Sequence, residues 1–132
     1  MLTTLLYQFL MAFQHSLAII EDEEDILTLF TEIIREHGYP VIGFTNPSSF
    51  VEYLRIHRHE FDLLLIDYKL PQMTGCDLAK KIIEIDPKIK MILITAYDDI
   101  VNNTLNLELI HKPIKINELV QIINRYMHPT IG

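Results

Sequence analysis

Carboxylate, hydroxyl and lysine side chains stand where four short, mostly apolar runs of this sequence end. The runs and the residues that follow them are 17–20 before Glu21 and Asp22, 61–66 before Asp67, 91–94 before Thr95, and 107–110 before His111 and Lys112. Short apolar runs separated by helical patterns are typical of buried parallel strands. Since ligands of an open α/β sheet bind beyond the carboxyl ends of its strands, we expect one acidic pocket with an ammonium and a hydroxyl group at its edge.

The predicted pocket has the ligands for a divalent cation. Glu21, Asp22 and Asp67 bring three carboxylates together, and their mutual repulsion opposes ionisation unless a cation is present. Oxygen ligands without thiolates or paired imidazoles favour Mg²⁺, which keeps several waters and binds one or two carboxylates plus a phosphate oxygen. We predict Asp22, Asp67 and the backbone carbonyl of Lys69 as ligands, with Glu21 binding directly or through water.

A carboxylate between a metal ion and an ammonium group can attack phosphorus. Asp67 would lie between Mg²⁺ and Lys112, so that attack by one of its oxygens would form an aspartyl phosphate. Charge that develops on the phosphoryl oxygens would be stabilised by the cation, by Lys112 and by the Thr95 hydroxyl. The small side chain of Ala96 leaves space for the phosphoryl group.

Each of these residues has a simpler interpretation when it is taken alone. The acidic run 21–25 is also favoured in the first turn of a helix, where carboxylates interact well with the helix dipole. Asp67 could be a turn residue, Thr95 a helix cap and Lys112 a solvated charge. It is the occurrence of these residue types together, in this order and at four strand ends, that indicates phosphoryl chemistry.

The length and composition exclude several classes of protein. A chain of 132 residues forms one domain with a substantial core. Its formal net charge of -7 and its pI near 5.2 argue against direct binding of nucleic acid or of an anionic membrane surface. Cys76 is the single cysteine, which excludes a disulfide framework and a thiolate metal site. We expect a cytoplasmic protein.

The remaining pattern predicts five units of strand followed by helix. The features that mark the helices are the helical spacing of Ile26, Leu29, Phe30, Ile33 and Ile34, the N-cap pair Asn46-Pro47, the start after Gly75 with an end before Asp86-Pro87, and a last helix from about Asn117 to Met127. Strands that alternate with helices at this spacing predict an α/β fold with a doubly wound parallel sheet.

Two short segments flank this pattern. Residues 1–15 form an N-terminal apolar extension that is too short to span a bilayer and lacks the basic start of a secretory signal. Two interpretations stay open, namely a frayed appendage, or a short helix that covers an apolar patch on this subunit or on a second copy in a homodimer. Residues 129–132 form a tail.

The strand ends and the turn after Asp67 together resemble the receiver domain of two-component response regulators. The motifs that carry this resemblance, which covers residues 16–128, are Glu21-Asp22-Glu23, Asp67 with Leu70-Pro71 and Met73-Thr74-Gly75, Thr95-Ala96, and Lys112-Pro113. The resemblance implies a flavodoxin-like, five-stranded parallel sheet of order 2-1-3-4-5.

The same resemblance implies roles for the residues of the pocket. Asp67 would accept phosphate from a histidine kinase or a histidine phosphotransfer protein. Glu21 and Asp22 would be the acidic pair that binds Mg²⁺, and Thr95 and Lys112 would be the switch pair. The Lys112-Pro113 peptide bond is often cis in the family.

Three departures from the family pattern bear on output. No DNA-binding or enzymatic domain follows the last helix, so we expect a stand-alone receiver. Leu109 stands three residues before Lys112, where the family usually has an aromatic residue. Thr95 and Lys112 are only 17 positions apart, several fewer than usual, so the fourth helix, expected within residues 98–105, must be shortened or irregular.

We therefore expect the phosphoacceptor of a two-component phosphorelay, which passes a signal to an unknown downstream protein. It would assist its own phosphorylation and dephosphorylation without being an enzyme in the usual sense. The alternative is a pseudo-receiver, an interaction module whose output does not depend on phosphate. A phosphohydrolase is a weaker alternative, because that chemistry normally needs a second aspartate just beyond the nucleophile, where this chain has Lys69.

Overall fold

The structure, a computed structural model, describes residues 17–127 together with residues 3, 5 and 6. Within residues 17–127 strands alternate with helices except between the fourth and fifth strands. These are, in chain order, β1 (Leu17–Ile20), α1 (Glu24–Glu36), β2 (Val41–Phe44), α2 (Pro47–Ile56), β3 (Leu63–Asp67), α3 (Gly75–Ile85), β4 (Lys90–Thr95), β5 (Glu108–His111) and α4 (Ile116–Met127).

The strands form one parallel sheet of order β2-β1-β3-β4-β5. This confirms the predicted doubly wound α/β fold and the strand order that the resemblance implies. Every residue of β1 and β3 is buried, which explains why these strands are continuous apolar runs without alternation. Ile20 lies beside Ile66, and Asp67 lies beside Ile94, so that the polar residues after these strands emerge at one edge.

Each face of the sheet has its own apolar core, because successive strand residues point to opposite faces. The face covered by α2 and α3 includes the buried residues Ala18, Ile20, Leu64, Ile66, Phe50, Leu54, Leu78 and Ile82. The face covered by α1 and α4 includes Leu17, Ile19, Leu63, Leu65, Ile34, Leu119 and Ile123. Fully burying one such side chain contributes roughly 1.5–3 kcal/mol, so the two cores support the sheet from both sides.

Side-chain caps begin two of the helices. Asn46 accepts hydrogen bonds from the backbone N–H groups of Ser48 at 2.8 Å and Ser49 at 3.2 Å, which confirms the predicted start of α2. Thr74 and Asp77 form a reciprocal capping box at the start of α3. Since α3 follows the loop after Asp67, this box also anchors the far end of that loop.

Gly75 lets the start of α3 approach the end of β3. A Cβ atom there would lie 2.6 Å from the Asp67 carbonyl oxygen and 2.6 Å from Cδ1 of Leu93. Both distances are far inside van der Waals contact, so any larger residue would push α3 away from the strand that carries Asp67.

Residues 96–107, between β4 and β5, form turns and extended backbone with no helix. The fourth helix, which the sequence predicted to be shortened or irregular within residues 98–105, is reduced to isolated turns. Asn103 takes over part of the missing hydrogen bonding, because its side-chain amide donates to the Leu107 carbonyl at 2.8 Å and accepts from the Leu107 N–H at 2.9 Å.

The flanking segments lie largely outside the described residues. The predicted packing of residues 1–15 falls there, except that residues 3, 5 and 6 are helical and the side chains of Leu5 and Leu6 are exposed. The tail 129–132 lies wholly outside. None of the described helices has the length and apolar character that a membrane span requires.

Candidate functional site

Three carboxylates meet at the carboxyl edge of the sheet. Glu21 and Asp22 directly follow β1, and Asp67 is the last residue of β3. One oxygen from each of the three carboxylates lies within 4.8 Å of the other two. Glu21 and Asp67 are each 4% exposed, whereas Asp22 is open to solvent. The cluster therefore combines two buried acids with one that solvent can reach.

Backbone hydrogen bonds continue past the strand ends and hold the site in register. The Tyr68 N–H donates to the Ile94 carbonyl at 2.8 Å, and the Lys112 N–H donates to the Thr95 carbonyl at 2.7 Å. The loop after β3 is closed by a bond of 2.8 Å from the Gly75 N–H to the Tyr68 carbonyl. The first residues beyond β3 and β5 are thus hydrogen-bonded to β4 in the same way as the strands.

Lys112 forms an ion pair with the carboxylate of Asp67. Its Nζ lies 3.2 Å from Oδ1 and 3.3 Å from Oδ2. Burial acts to lower the pKa of Lys112, but the charges of Asp67 and Glu21 outweigh it and raise the pKa above its ordinary value. The side chain is therefore a permanent cation beside Asp67. The Lys112-Pro113 peptide bond is cis.

Glu21 shows that the cluster lacks a partner for its negative charge. Its Oε1 is buried and has no hydrogen-bond partner in the described part of the chain. Burial, followed by the proximity of Asp67, raises the pKa of Glu21 from its ordinary value of 4.5 to about 8, although Lys112 acts in the opposite direction. An unpartnered carboxylate oxygen beside two other acids fits a hard divalent cation such as Mg²⁺.

Thr95 is the last residue of β4 and is 1% exposed. The N–H of the next residue, Ala96, donates to Oδ2 of Asp99 at 2.8 Å. The other oxygen of Asp99, Oδ1, lies 3.2 Å from Nζ of Lys69. The side chain of Lys69 is thus paired with the segment after β4. Its backbone carbonyl as a metal ligand stays a prediction.

Asp99 was not predicted from the sequence, because it does not directly follow a strand. A weaker signal was available, since an aspartate four residues after the end of a strand can accept a hydrogen bond from the backbone of the turn. That signal is common in turns and does not by itself indicate a site.

An apolar groove of about 490 Å³ lies beside the site, between the first half of α1 and the segment after β5. Its lining residues are Ile26, Leu29, Phe30, Lys112, Pro113 and Ile114. The helical spacing in α1 predicted one buried stripe, and Ile33 and Ile34 are indeed buried, but Leu29 is 52% exposed. The apolar residues in the first half of α1 line this groove, whereas those in the second half are buried in the core.

We predict that Glu21→Gln reduces the pH dependence of stability in the metal-free protein. The raised pKa means that the folded state holds a proton on Glu21 that the unfolded state releases between pH 4.5 and about 8. The wild type therefore loses stability across this window as pH rises, and the neutral amide removes that loss. In EDTA, the melting temperature of the variant relative to wild type should rise from pH 5 to pH 8. An equal difference at both values would contradict the pKa assignment.

Curated relatives of receiver length match most of this chain. It is 30% identical over 112 residues to the response regulator receiver protein CpdR of Brucella abortus, an alignment that covers 81% of this chain and 92% of CpdR. It is also 30% identical over 114 residues to sporulation initiation phosphotransferase F of Bacillus subtilis, with 83% of this chain and 90% of the relative covered.

Solved structures agree with this similarity. A CheY-like response regulator receiver domain protein from Methanospirillum hungatei is 29% identical, has a TM-score of 0.72, and is matched over 83% of this chain and 90% of its own. A receiver domain protein from Clostridium thermocellum, at 23% identity, shares the fold with a TM-score of 0.77, over 84% of this chain and 92% of its own. The response regulator receiver domain family matches residues 17–124. With the acidic edge and Lys112 in place, the chain belongs to the response regulator receiver domain family.

Proposed function

We propose that the protein is a phosphoacceptor of a two-component phosphorelay, phosphorylated on Asp67. The observation that carries this proposal is the geometry around Asp67. Its carboxylate is buried at a strand end, with the Lys112 ammonium 3.2 Å from one oxygen and with an oxygen of Glu21 and one of Asp22 within 4.8 Å. This arrangement pairs the carboxylate with an ammonium group and orients it at the edge of the sheet, which is what a carboxylate nucleophile requires.

Asp22 and Asp67, with Glu21 and the Lys69 carbonyl, are the groups that would hold Mg²⁺. The bound cation would supply positive charge next to the phosphoryl oxygens. One oxygen of Asp67 attacks the phosphorus of a phosphohistidine, a P–O bond forms, and the P–N bond breaks with its electron pair passing to the imidazole. Lys112 and the Thr95 hydroxyl then stabilise charge on the transferred group.

The phosphoryl group comes from a partner in this proposal, so the protein assists its own phosphorylation and dephosphorylation without being an enzyme in the usual sense. The donor is a histidine kinase or a histidine phosphotransfer protein, and the protein works in the cytoplasm. A pseudo-receiver would have the same fold without the phosphate dependence, and the first experiment below separates the two.

The groove between α1 and residues 113–114 is where the donor would bind. The groove includes Lys112 of the site, and the side chain of Leu29 is exposed in it. A donor protein that binds the groove with the apolar face of a helix would bring its phosphohistidine close to Asp67.

We predict that acetyl phosphate with Mg²⁺ adds one phosphoryl group to the wild type and none to Asp67→Asn. The amide keeps the size of the side chain and removes the nucleophilic charge. Asp62→Asn, an exposed substitution just before the other end of β3, is the matched control and should be labelled like wild type. Intact mass spectrometry measures the gain. Labelling of Asp67→Asn at the wild-type rate, or an unlabelled wild type, would refute the proposal.

We predict that Mg²⁺ raises the melting temperature of the wild type and that Asp22→Asn abolishes the rise. A cation at 100 times its dissociation constant stabilises the folded state by about 2.7 kcal/mol, which corresponds to a rise of roughly 10 °C. Asp25→Asn, an exposed acid in the first turn of α1, should keep the full response. If Asp22→Asn responds to Mg²⁺ as wild type does, the metal assignment fails.

We predict that Leu29→Ser slows phosphotransfer from a phosphorylated histidine phosphotransfer protein that is active on the wild type. Loss of a well-placed apolar contact at an interface costs about 1 kcal/mol or more, or roughly fivefold in rate. Labelling by acetyl phosphate should be unchanged, because that small donor needs no groove. Ile56→Ser removes an equally apolar and 79% exposed side chain from α2 and serves as control. Equal transfer rates for both variants would exclude the groove as the docking surface.

A further inference from the structure

The carboxylate of Asp99 is buried although the segment that carries it is largely exposed. Its side chain is 1% exposed, while Asp98 and Ile100 on either side are open to solvent. Oδ2 accepts the Ala96 N–H at 2.8 Å and Oδ1 lies 3.2 Å from the Lys69 ammonium. Asp99 is therefore a buried carboxylate that contacts one backbone N–H and one ammonium group.

A second contact joins the same two segments. The Tyr68 hydroxyl donates to the Ile100 carbonyl at 2.8 Å. Two successive residues after Asp67, Tyr68 and Lys69, are thus tied to two successive residues after β4, Asp99 and Ile100. No helix supports residues 96–107, although Val101 packs against the apolar core. The contacts of Asp99 and Ile100 add to that packing and join the start of the segment to the loop after β3.

The groups that Asp99 engages border the site. Lys69 is two residues after Asp67, and Ala96 directly follows Thr95 at the neighbouring strand end. The two donors that Asp99 contacts therefore lie just beyond β3 and just beyond β4.

A backbone N–H and an ammonium that hold a carboxylate are also the donors that a phosphoryl oxygen would use. We propose that Asp99 is an internal anion that occupies the Ala96 N–H and Lys69 when Asp67 carries no phosphoryl group, and that phosphorylation of Asp67 displaces it and releases residues 96–107. This proposal rests on the proposed function of Asp67. It makes Asp99 a positioning residue of the unphosphorylated state.

Two effects oppose each other when the phosphoryl group arrives. The incoming group adds negative charge beside the segments that carry Lys69 and Ala96 and competes with Asp99 for these two donors, so the contacts of Asp99 weaken as the aspartyl phosphate forms. Before phosphorylation, the negative charge of Asp99 repels the dianionic phosphodonor. Its two contacts also keep the start of residues 96–107 against the loop after β3. Residues 96–107 would thereby respond to phosphate without the repacking of a fourth helix.

The first test compares Asp99→Asn with Asp98→Asn in labelling by acetyl phosphate with Mg²⁺. Both variants remove one negative charge, but only Asp99 holds the two donors. Since hydrogen bonds to charged groups are roughly twice as strong as neutral ones, Asp99→Asn should be labelled about fivefold faster than wild type, and Asp98→Asn should differ little. A merely structural role for Asp99 would leave the rate unchanged or lower it, and that result would overturn the inference.

The second test needs no variant and uses beryllium fluoride with Mg²⁺ as a phosphoryl mimic. Amide hydrogen exchange of residues 97–107 in the wild type should speed up on addition of the mimic, and unchanged or slower exchange would overturn the inference. If acetyl phosphate does not label the wild type and the mimic does not change its hydrogen exchange, both the proposed phosphoacceptor function and this inference are wrong. A labelled wild type with Asp99→Asn at the same rate would sink this inference alone.

Discussion

Repulsion between carboxylates at one edge of a parallel sheet is the constraint on which the rest of the site depends. Glu21 and Asp67 are both buried there, and burial without a counter-charge strongly disfavours two ionised acids. The ammonium of Lys112 offsets part of the negative charge by direct contact with Asp67. The raised pKa of Glu21 favours its protonated form, which reduces the charge of the cluster further. Within the described residues the cluster therefore still has carboxylate oxygens without a positive partner, and a bound cation would be stabilised by contact with them.

The fold holds the carboxylates together against that repulsion because the strands behind them are wholly buried. Parallel pairing sets Ile20, Ile66 and Leu93 side by side, so that the next residues of each strand emerge at one level. Gly75 adds to this rigidity by letting α3 start in contact with the carbonyl of Asp67. Apolar packing on both faces of the sheet thus offsets the repulsion between the carboxylates. Loss of that packing would let the carboxylates move apart.

The segment between β4 and β5 is where this chain differs most from the arrangement that its family resemblance implies. A receiver usually has a full helix there and an aromatic side chain at the place of Leu109, whereas this chain has turns held by Asn103, Asp99 and Tyr68. Side-chain hydrogen bonds of this kind are few, and the one made by Tyr68 is exposed to solvent, so they are broken more easily than a packed helix. Any response to phosphate that uses this region would therefore move a loop.

The sequence by itself determined the strands, the order of the chemistry-bearing residues and the family. Buried parallel strands must be apolar throughout, and a polar residue that ends such a run can only lie at the sheet edge, so Asp67 and Thr95 were readable from local pattern. Only the tertiary structure decided the rest. The Lys112–Asp67 contact, the groove that divides the apolar stripe of α1 at Leu29, and the burial of Asp99 against Lys69 all join residues far apart in the chain. Helical spacing and turn composition do not predict such partners. Whether two distant residues come into contact depends on how the whole backbone folds.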